Sequence, residues 1–364
     1  MAHLNPPPHT LRNWLRHSAT AAALCATALA CTAGLTDSAN VSVPAAANAR
    51  RDAFVYSPYK HLNTAVNTKA PAATTQVTGS AQVIAEAPRA TLLPGATALT
   101  LAFAAGECGS EHWGPLAAQS VADANVAAFN RAGIPYIVST GGEGNVFSCA
   151  SDAAMEQFVA RYDTPMLLGL DFDIEAAQTP DMINSLLQRI RAAQLRRPHL
   201  RLSFTLATLA ASDASEATLN AQGQQVMAAI AASQLEHYFI NVMVMDLGPA
   251  KPANCVVRAG QCDMAASARQ AVQSLHKRYG VPLSHIEVTA MIGINDVVEN
   301  VFTTANAKDL AQFVKHAHLG GLHFWSLDRD APCADGSTAV SPTCSSTNAQ
   351  PALAYSRAFA EGLR

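Results

Sequence analysis

The sequence predicts a single α/β domain, a (β/α)8 TIM barrel, behind an N-terminal export signal and linker. Three observations point to it. Eight short apolar runs are spaced through residues 54–326, most of them separated by amphipathic stretches. No Gly-rich phosphate turn follows an early run, which disfavours an open doubly wound sheet. The 364 residues suffice for one large barrel.

Residues 1–30 carry the features of an export signal. Arg12 and Arg16 precede an apolar run over 19–30, and Ala28-Leu29-Ala30 is a small-residue cleavage signal. The run is shorter than the roughly 20 residues that span a bilayer, so no transmembrane segment is expected. Cys31 directly follows Ala30 and fits a lipid anchor, although Ala28 stands where a larger aliphatic is usual. Residues 31–52, rich in Ala, Ser and Asn, are expected to form a linker or disordered tail. The barrel domain is then 53–364. The expected location is secreted or periplasmic, or outer-membrane lipoprotein if Cys31 is acylated.

Strands are expected at 54–59, 98–104, 134–139, 166–174, 200–207, 239–245, 286–293 and 321–326. Helical patterns occupy 120–132, 152–161, 180–195, 217–235, 264–279 and 307–317. Thr179-Pro180-Asp181 is a helix start, with Thr as cap and Pro in the first turn. Residues 63–94 lack periodicity and predict a long first connection in place of a helix. There is no internal repeat.

A formal charge of −3 with 14% charged residues gives no electrostatic case for nucleic acid, so a neutral or small partner is expected. Of eight cysteines, Cys25 and Cys31 belong to the leader. The remaining six, Cys108, Cys149, Cys255, Cys262, Cys333 and Cys344, suit disulfides in an exported chain. Six cysteines allow 15 connectivities. Proximity in loops favours Cys255–Cys262 and Cys333–Cys344, leaving Cys108–Cys149. There is no CxxC and no paired His spacing, so no metal is expected, and nothing signals a cofactor. His316, His318 and His323 have no evident partner.

The chemistry concentrates in Leu167-Leu168-Gly169-Leu170-Asp171-Phe172-Asp173-Ile174-Glu175. On a strand, period-two alternation puts Asp171, Asp173 and Glu175 on one face and Leu170, Phe172 and Ile174 on the other. Three crowded carboxylates repel and are costly to bury, so at least one should hold a proton near neutrality. Such an arrangement suits chemistry that needs a carboxylic acid beside carboxylates. The acids fall at the C-terminal end of the fourth strand, where barrels of this kind carry their active sites.

This stretch resembles the D-x-x-D-x-D-x-E signature of glycoside hydrolase family 18, the chitinases and chitinase-like proteins. The last three acids match, and Leu168 replaces the first. By alternation Leu168 is expected on the opposite strand face. The similarity continues through Pro58-Tyr59, Ala102-Phe103 with Trp113-Gly114, Ser139-Thr140-Gly141-Gly142, Met243-Val244-Met245-Asp246, Met291-Ile292-Gly293-Ile294-Asn295-Asp296 and Phe324-Trp325-Ser326-Leu327-Asp328-Arg329-Asp330. The order and barrel-strand spacing of these segments resemble a bacterial branch of the family.

The resemblance implies a secreted hydrolase of β-1,4-linked N-acetylglucosamine, acting on chitin or chito-oligosaccharides by substrate-assisted retaining catalysis. Glu175 would be the general acid/base. Asp173 would hold the acetamido N–H, and Asp171 would sit deeper and share a proton with Asp173. Trp325 would floor the sugar. Asp246 would contact it, and Met243, Met245 and Phe103 would line the site. Ser139, Gly141 and Gly142 would shape the strand end. The tyrosine usual at the strand-six end is absent, its places being taken by Met245 and Leu247. That departure favours a chitinase-like binding protein with little turnover. An endo-β-N-acetylglucosaminidase would use the same acids. With only Trp113 and Trp325 after the leader, soluble oligosaccharides or amorphous polymer are favoured over crystalline polymer.

Overall fold

The computed structural model describes residues 45–63, 71–175, 178–215, 217–347 and 350–364. The expected export signal (1–30), the Cys31 anchor and most of the linker lie outside them. The one part of the linker within them, Ala45–Arg51, is helical. Arg51 there is buried, donating to the Pro198 carbonyl at 2.9 Å.

Eight parallel strands close into a barrel: β1 Val55–His61, β2 Leu99–Ala104, β3 Tyr136–Gly141, β4 Leu167–Asp173, β5 Arg201–Ala207, β6 Tyr238–Val244, β7 Ile286–Met291 and β8 Gly321–Trp325. Each pairs with its sequence neighbours, and β8 pairs with β1 to complete the ring. Around it run α1 Ala118–Ala132, α2 Asp152–Tyr162, α3 Pro180–Arg196, α4 Ala221–Ser233, α5 Met264–Tyr279, α6 Thr304–His316 and α7 Ala354–Leu363. The predicted barrel is therefore the observed one.

Local sequence sets the helix boundaries. Ser151, Thr179, Asn220, Asp263 and Thr303 cap their helices with side-chain oxygens, and Thr303 with Asn306 forms a capping box. The caps explain two displaced starts: Asn220 begins α4 four residues after the expected 217, and Thr303 begins α6 three residues before the expected 307. α7 was not anticipated. Its own cap position, Leu353, offers no side-chain oxygen, and Asp330 substitutes by accepting from the Tyr355 and Ser356 N–H groups at 2.9 and 2.7 Å. Among its described residues the first connection lacks a long helix, as expected. It contains a small hairpin, Thr74–Thr75 with Gln82–Val83, and a short helix, Arg89–Leu92.

The barrel interior is unusually polar. Arg201 and Glu287, both buried, form an ion pair low in the barrel, and Arg201 also donates to the carbonyls of Arg51, Ala53 and Gly320. Burial raises the Glu287 carboxyl, but Arg201 and His323 outweigh it and hold it at about 2. His323 thus has a partner after all, its Nε2 lying 3.5 Å from Glu287 Oε2.

Leu168 also departs from expectation. The β3–β4 register shifts between Leu167 and Gly169, which breaks the alternation. Leu168 packs with Val55, Ala98 and Ile137. Val55 and Ile137 share strand parity with Tyr59 and Ser139, so this layer lies inside the barrel, not on its outer face.

Three disulfides, Cys108–Cys149, Cys255–Cys262 and Cys333–Cys344, match the expected pairs. Each lies in loops that leave the C-terminal ends of strands, the end that carries the acids. No helix of the described residues is long and apolar enough to cross a membrane.

Candidate active site

The three acids rise through the barrel along β4. Asp171 is the deepest, buried at 1% exposure. Register places Ser139 of β3 and Ser203 of β5 directly opposite it. Four hydroxyls converge on its carboxylate: Tyr59 and Ser139 donate to Oδ2 at 2.9 and 2.7 Å, and Ser203 and Thr205 to Oδ1 at 2.9 and 2.7 Å. Behind them Thr289 donates to Asn241 Oδ1, and the Asn241 amide donates to Tyr59 and Thr205. Every proton in this chain points toward Asp171, an arrangement that suits an ionised carboxylate. Burial raises its carboxyl and the four donors oppose the rise.

Asp173 is equally enclosed, and its Oδ1 has no hydrogen-bond partner among the described residues. Burial first, then the charges of Glu175 and Asp171, push its carboxyl far above the ordinary value. Glu175 is raised to about 7, by burial first and then by Glu143. The Asp173 and Glu175 carboxyls each shift the other's protonation. Asp171, expected to share a proton with Asp173, accepts from four hydroxyls, and of the neighbouring charges that of Glu175 raises the Asp173 carboxyl most. A pair of carboxyls sharing one proton near neutrality can both give and take it.

Asp173 and Glu175 open into a cleft of about 540 Å³ at the C-terminal end of the barrel. All five residues expected to meet a ligand, Phe103, Met243, Met245, Asp246 and Trp325, line it. Phe103 and Trp325 stack with centroids 5.5 Å apart and planes 15° apart, giving a flat apolar floor. Gly141 and Gly142 make the corner possible. A Cβ on Gly141 would stand 2.1 Å from the Asp173 carbonyl oxygen, and one on Gly142 would meet the Phe103 ring at 2.6 Å. Asp246 adopts φ +50° and accepts from the Val297 N–H at 2.7 Å, which aims the loop after β6 at the cleft. Burial raises its carboxyl.

Trp113 is not a platform. It is fully buried in the core, with its indole N–H donating to Tyr162 at 2.8 Å. Leu247 is buried and does not line the cleft, whereas Met245 does.

Several site residues escaped the sequence reading. Tyr59, Ser203, Thr205, Asn241 and Thr289 build the support of Asp171. The signal was present: polar residues at alternate positions of β5 and β7, and Asn241 in β6, are inward positions in strands otherwise apolar. Glu143 and Asp296 also line the cleft. His61 ends β1 with its ring 5.5 Å from Trp325 and 6.0 Å from Phe103. Burial, then Lys60, lowers its pKa to about 4, so it is neutral near pH 7.

No family model matches the chain. Over 258 residues it is 28% identical to the "Probable bifunctional chitinase/lysozyme" of Escherichia coli K12, covering 65% of this chain and 27% of that protein. Over 232 residues it is 28% identical to "Endochitinase 11" of Metarhizium anisopliae, covering 57% of this chain and 42% of that one. The chain therefore spans less than half the length of the curated relatives it matches. The catalytic domain of a hyperthermophilic chitinase from Pyrococcus furiosus has the same fold, with a TM-score of 0.64 at 24% identity over 86% of this chain and 95% of that one. Catalytic-site mutants of active domain 2 of a thermostable chitinase from that organism, complexed with chito-oligosaccharides, match with a TM-score of 0.64 at 23% identity and the same coverage.

Proposed function

We propose that this chain, which belongs to the glycoside hydrolase family 18 chitinases, hydrolyses β-1,4-linked N-acetylglucosamine oligosaccharides with Glu175 as general acid and base. The observation that carries the proposal is the cleft-lining pair Asp173 and Glu175, with Asp173 Oδ1 unpartnered, above an Asp171 that accepts from four hydroxyls.

A glycosidic oxygen is a poor leaving group until protonated, and Glu175, raised to about 7, holds a proton to give near neutrality. The substrate's own 2-acetamido oxygen attacks the anomeric carbon, and the leaving oxygen takes the Glu175 proton as its bond to that carbon breaks. Asp173, released from Glu175, turns its unpartnered oxygen to the acetamido N–H and stabilises the cationic ring that forms. Glu175, now a carboxylate, takes a proton from water, which opens the ring with retention. Asp171 remains charged throughout and supports the developing positive charge from below. The sugar lies on the Phe103–Trp325 floor, and Asp246 contacts it from the β6 side.

One observation favours a second reading, a sugar-binding protein of low turnover. Met245 offers no hydroxyl to the acetamido carbonyl, and Leu247 lies away from the cleft. We propose secretion through the 1–30 segment, in keeping with three disulfides. Release of fluorophore from chitobiose and chitotriose glycosides, measured beside a Glu175→Gln variant, tests the hydrolase reading.

A further inference from the structure

We infer that Asn220 supplies the hydrogen bond that Met245 and Leu247 cannot, its side-chain N–H donating to the acetamido oxygen that attacks. The inference rests on the proposed hydrolase reading and names, for that same site, a further residue that touches substrate.

Three observations carry it. The first is what the cleft has left to donate. Of its lining residues, Tyr59 and Thr205 spend their hydroxyls on Asp171, Thr289 on Asn241 and Thr208 on the Leu206 carbonyl. The carboxyls aside, the lining side-chain donors without a partner among the described residues are the Trp325 indole N–H and the Asn220 amide. An indole N–H lies in the plane of its ring, so a sugar lying on the face of Trp325 is out of its line. Asn220 is left.

The second is the pose of that amide. Asn220 caps α4, its Oδ1 accepting from the Gly223 N–H at 2.8 Å. The cap settles which end of the amide is oxygen and which is nitrogen. It also holds the side chain in place before any sugar binds, so little freedom is lost when Nδ2 finds its acceptor.

The third is placement. The Asn220 backbone N–H donates to the Ala207 carbonyl at 3.3 Å, and a bridge between Thr208 and Leu219 brings the chain back to the end of β5. Register pairs Ala207 with Met243 of β6, and Thr205, two residues earlier, with Asp173 of β4. Asn220 therefore stands over the end of β5. On one side is β4 with Asp173, which takes the acetamido N–H, and on the other is β6, which runs on into Met245, where the phenol is missing. A carbonyl oxygen has two lone pairs, so one can accept from Asn220 while the other faces the anomeric carbon. Holding the nucleophile in line acts on rate more than on affinity.

The test measures kcat and KM of the mature protein on the chitobiose and chitotriose fluorogenic glycosides, beside Asn220→Asp and Asn220→Ser. Both variants keep a capping oxygen, so the urea midpoint should not move. Aspartate keeps the shape without a donor, and serine adds no charge, so a loss common to both belongs to the missing N–H. In both, kcat should fall about 10–100-fold, somewhat less than for an oxyanion-hole donor, while KM changes less than about threefold. A phenol is the more acidic donor, so Met245→Tyr should add rate in the wild type, and should add more in Asn220→Ser, whose lost bond it replaces. An unchanged kcat in both variants, or an equal gain from Met245→Tyr in the two backgrounds, would overturn the inference while leaving the hydrolase reading intact. If the wild type cleaves nothing, the hydrolase reading fails, and calorimetric titration decides the contact by itself. The affinity for the fully acetylated chitin tetramer relative to its fully deacetylated form should then fall about two- to tenfold in Asn220→Ser, the worth of one neutral hydrogen bond. An unchanged ratio contradicts the contact.

Discussion

Thr205 of β5 donates a 2.7 Å hydrogen bond to Asp171 of β4, although register pairs it with Asp173. The bond thus runs diagonally across the strand pair and ties the level of Asp173 to the level below. Thr205 also accepts from the Asn241 amide at 2.8 Å. Thr205→Val should remove both bonds while keeping the shape. Leaving buried partners unsatisfied costs about 1–3 kcal/mol, read by urea denaturation, and Thr205→Ser should restore most of it. Equal stability of the valine and serine variants would show that the network carries no such weight.

The pH profile follows from Glu175. The group must be protonated to act as acid, so kcat/KM should fall as pH rises through about 7. The negative charge of Glu143 raises Glu175, and its removal favours the ionised form. Glu143→Gln should therefore move the alkaline limb to lower pH. A limb that stays in place would separate Glu143 from Glu175.

The missing phenol can be restored at one position more readily than at the other. Met245 lines the cleft, and Leu247 is buried elsewhere. Met245→Tyr should raise kcat more than it changes KM, because the acetamido bond matters most in the transition state. Leu247→Tyr should instead overpack the core at a cost of about 1–3 kcal/mol. An unchanged kcat in Met245→Tyr would mean that another group already orients the acetamido carbonyl.

Low in the barrel, Glu287 is held at about 2 against an ordinary 4.5. A depressed folded-state pKa contributes stability that is present above 4.5 and is lost as pH falls through about 2. Glu287→Gln should leave Arg201 buried without its counter-charge and cost about 3–5 kcal/mol near neutrality. The loss should narrow toward pH 2 in a denaturation series. A pH-independent difference would contradict the ionised pair.

The strands, the acids and two of the disulfides were legible because each has a local signal: period-two apolar runs, carboxylates at alternate positions, and cysteines close in sequence, with Cys108–Cys149 left as the remaining pair. What was not legible depended on partners far along the chain. Nothing local marks Ser203 or Asn241 as parts of one network with Asp171, since that needs the register of β4, β5 and β6. The Leu168 prediction failed because a register shift is a property of the strand pair, not of the strand. α7 stayed hidden because its cap, Asp330, precedes it by more than 20 residues. Trp113 and Trp325 look alike in sequence, and only the fold sends one to the core and the other to the cleft.

The central claim is that Glu175 performs acid and base catalysis on N-acetylglucosamine glycosides. Its most direct test is the turnover of chitobiose and chitotriose fluorogenic glycosides by the purified protein and by Glu175→Gln. The account predicts measurable hydrolysis by the wild type, a loss of about 10²–10⁴-fold in the variant, and sugar binding by the variant within a few-fold of wild type. Equal turnover by the two proteins would contradict it, as would a wild type that binds neither substrate and cleaves neither.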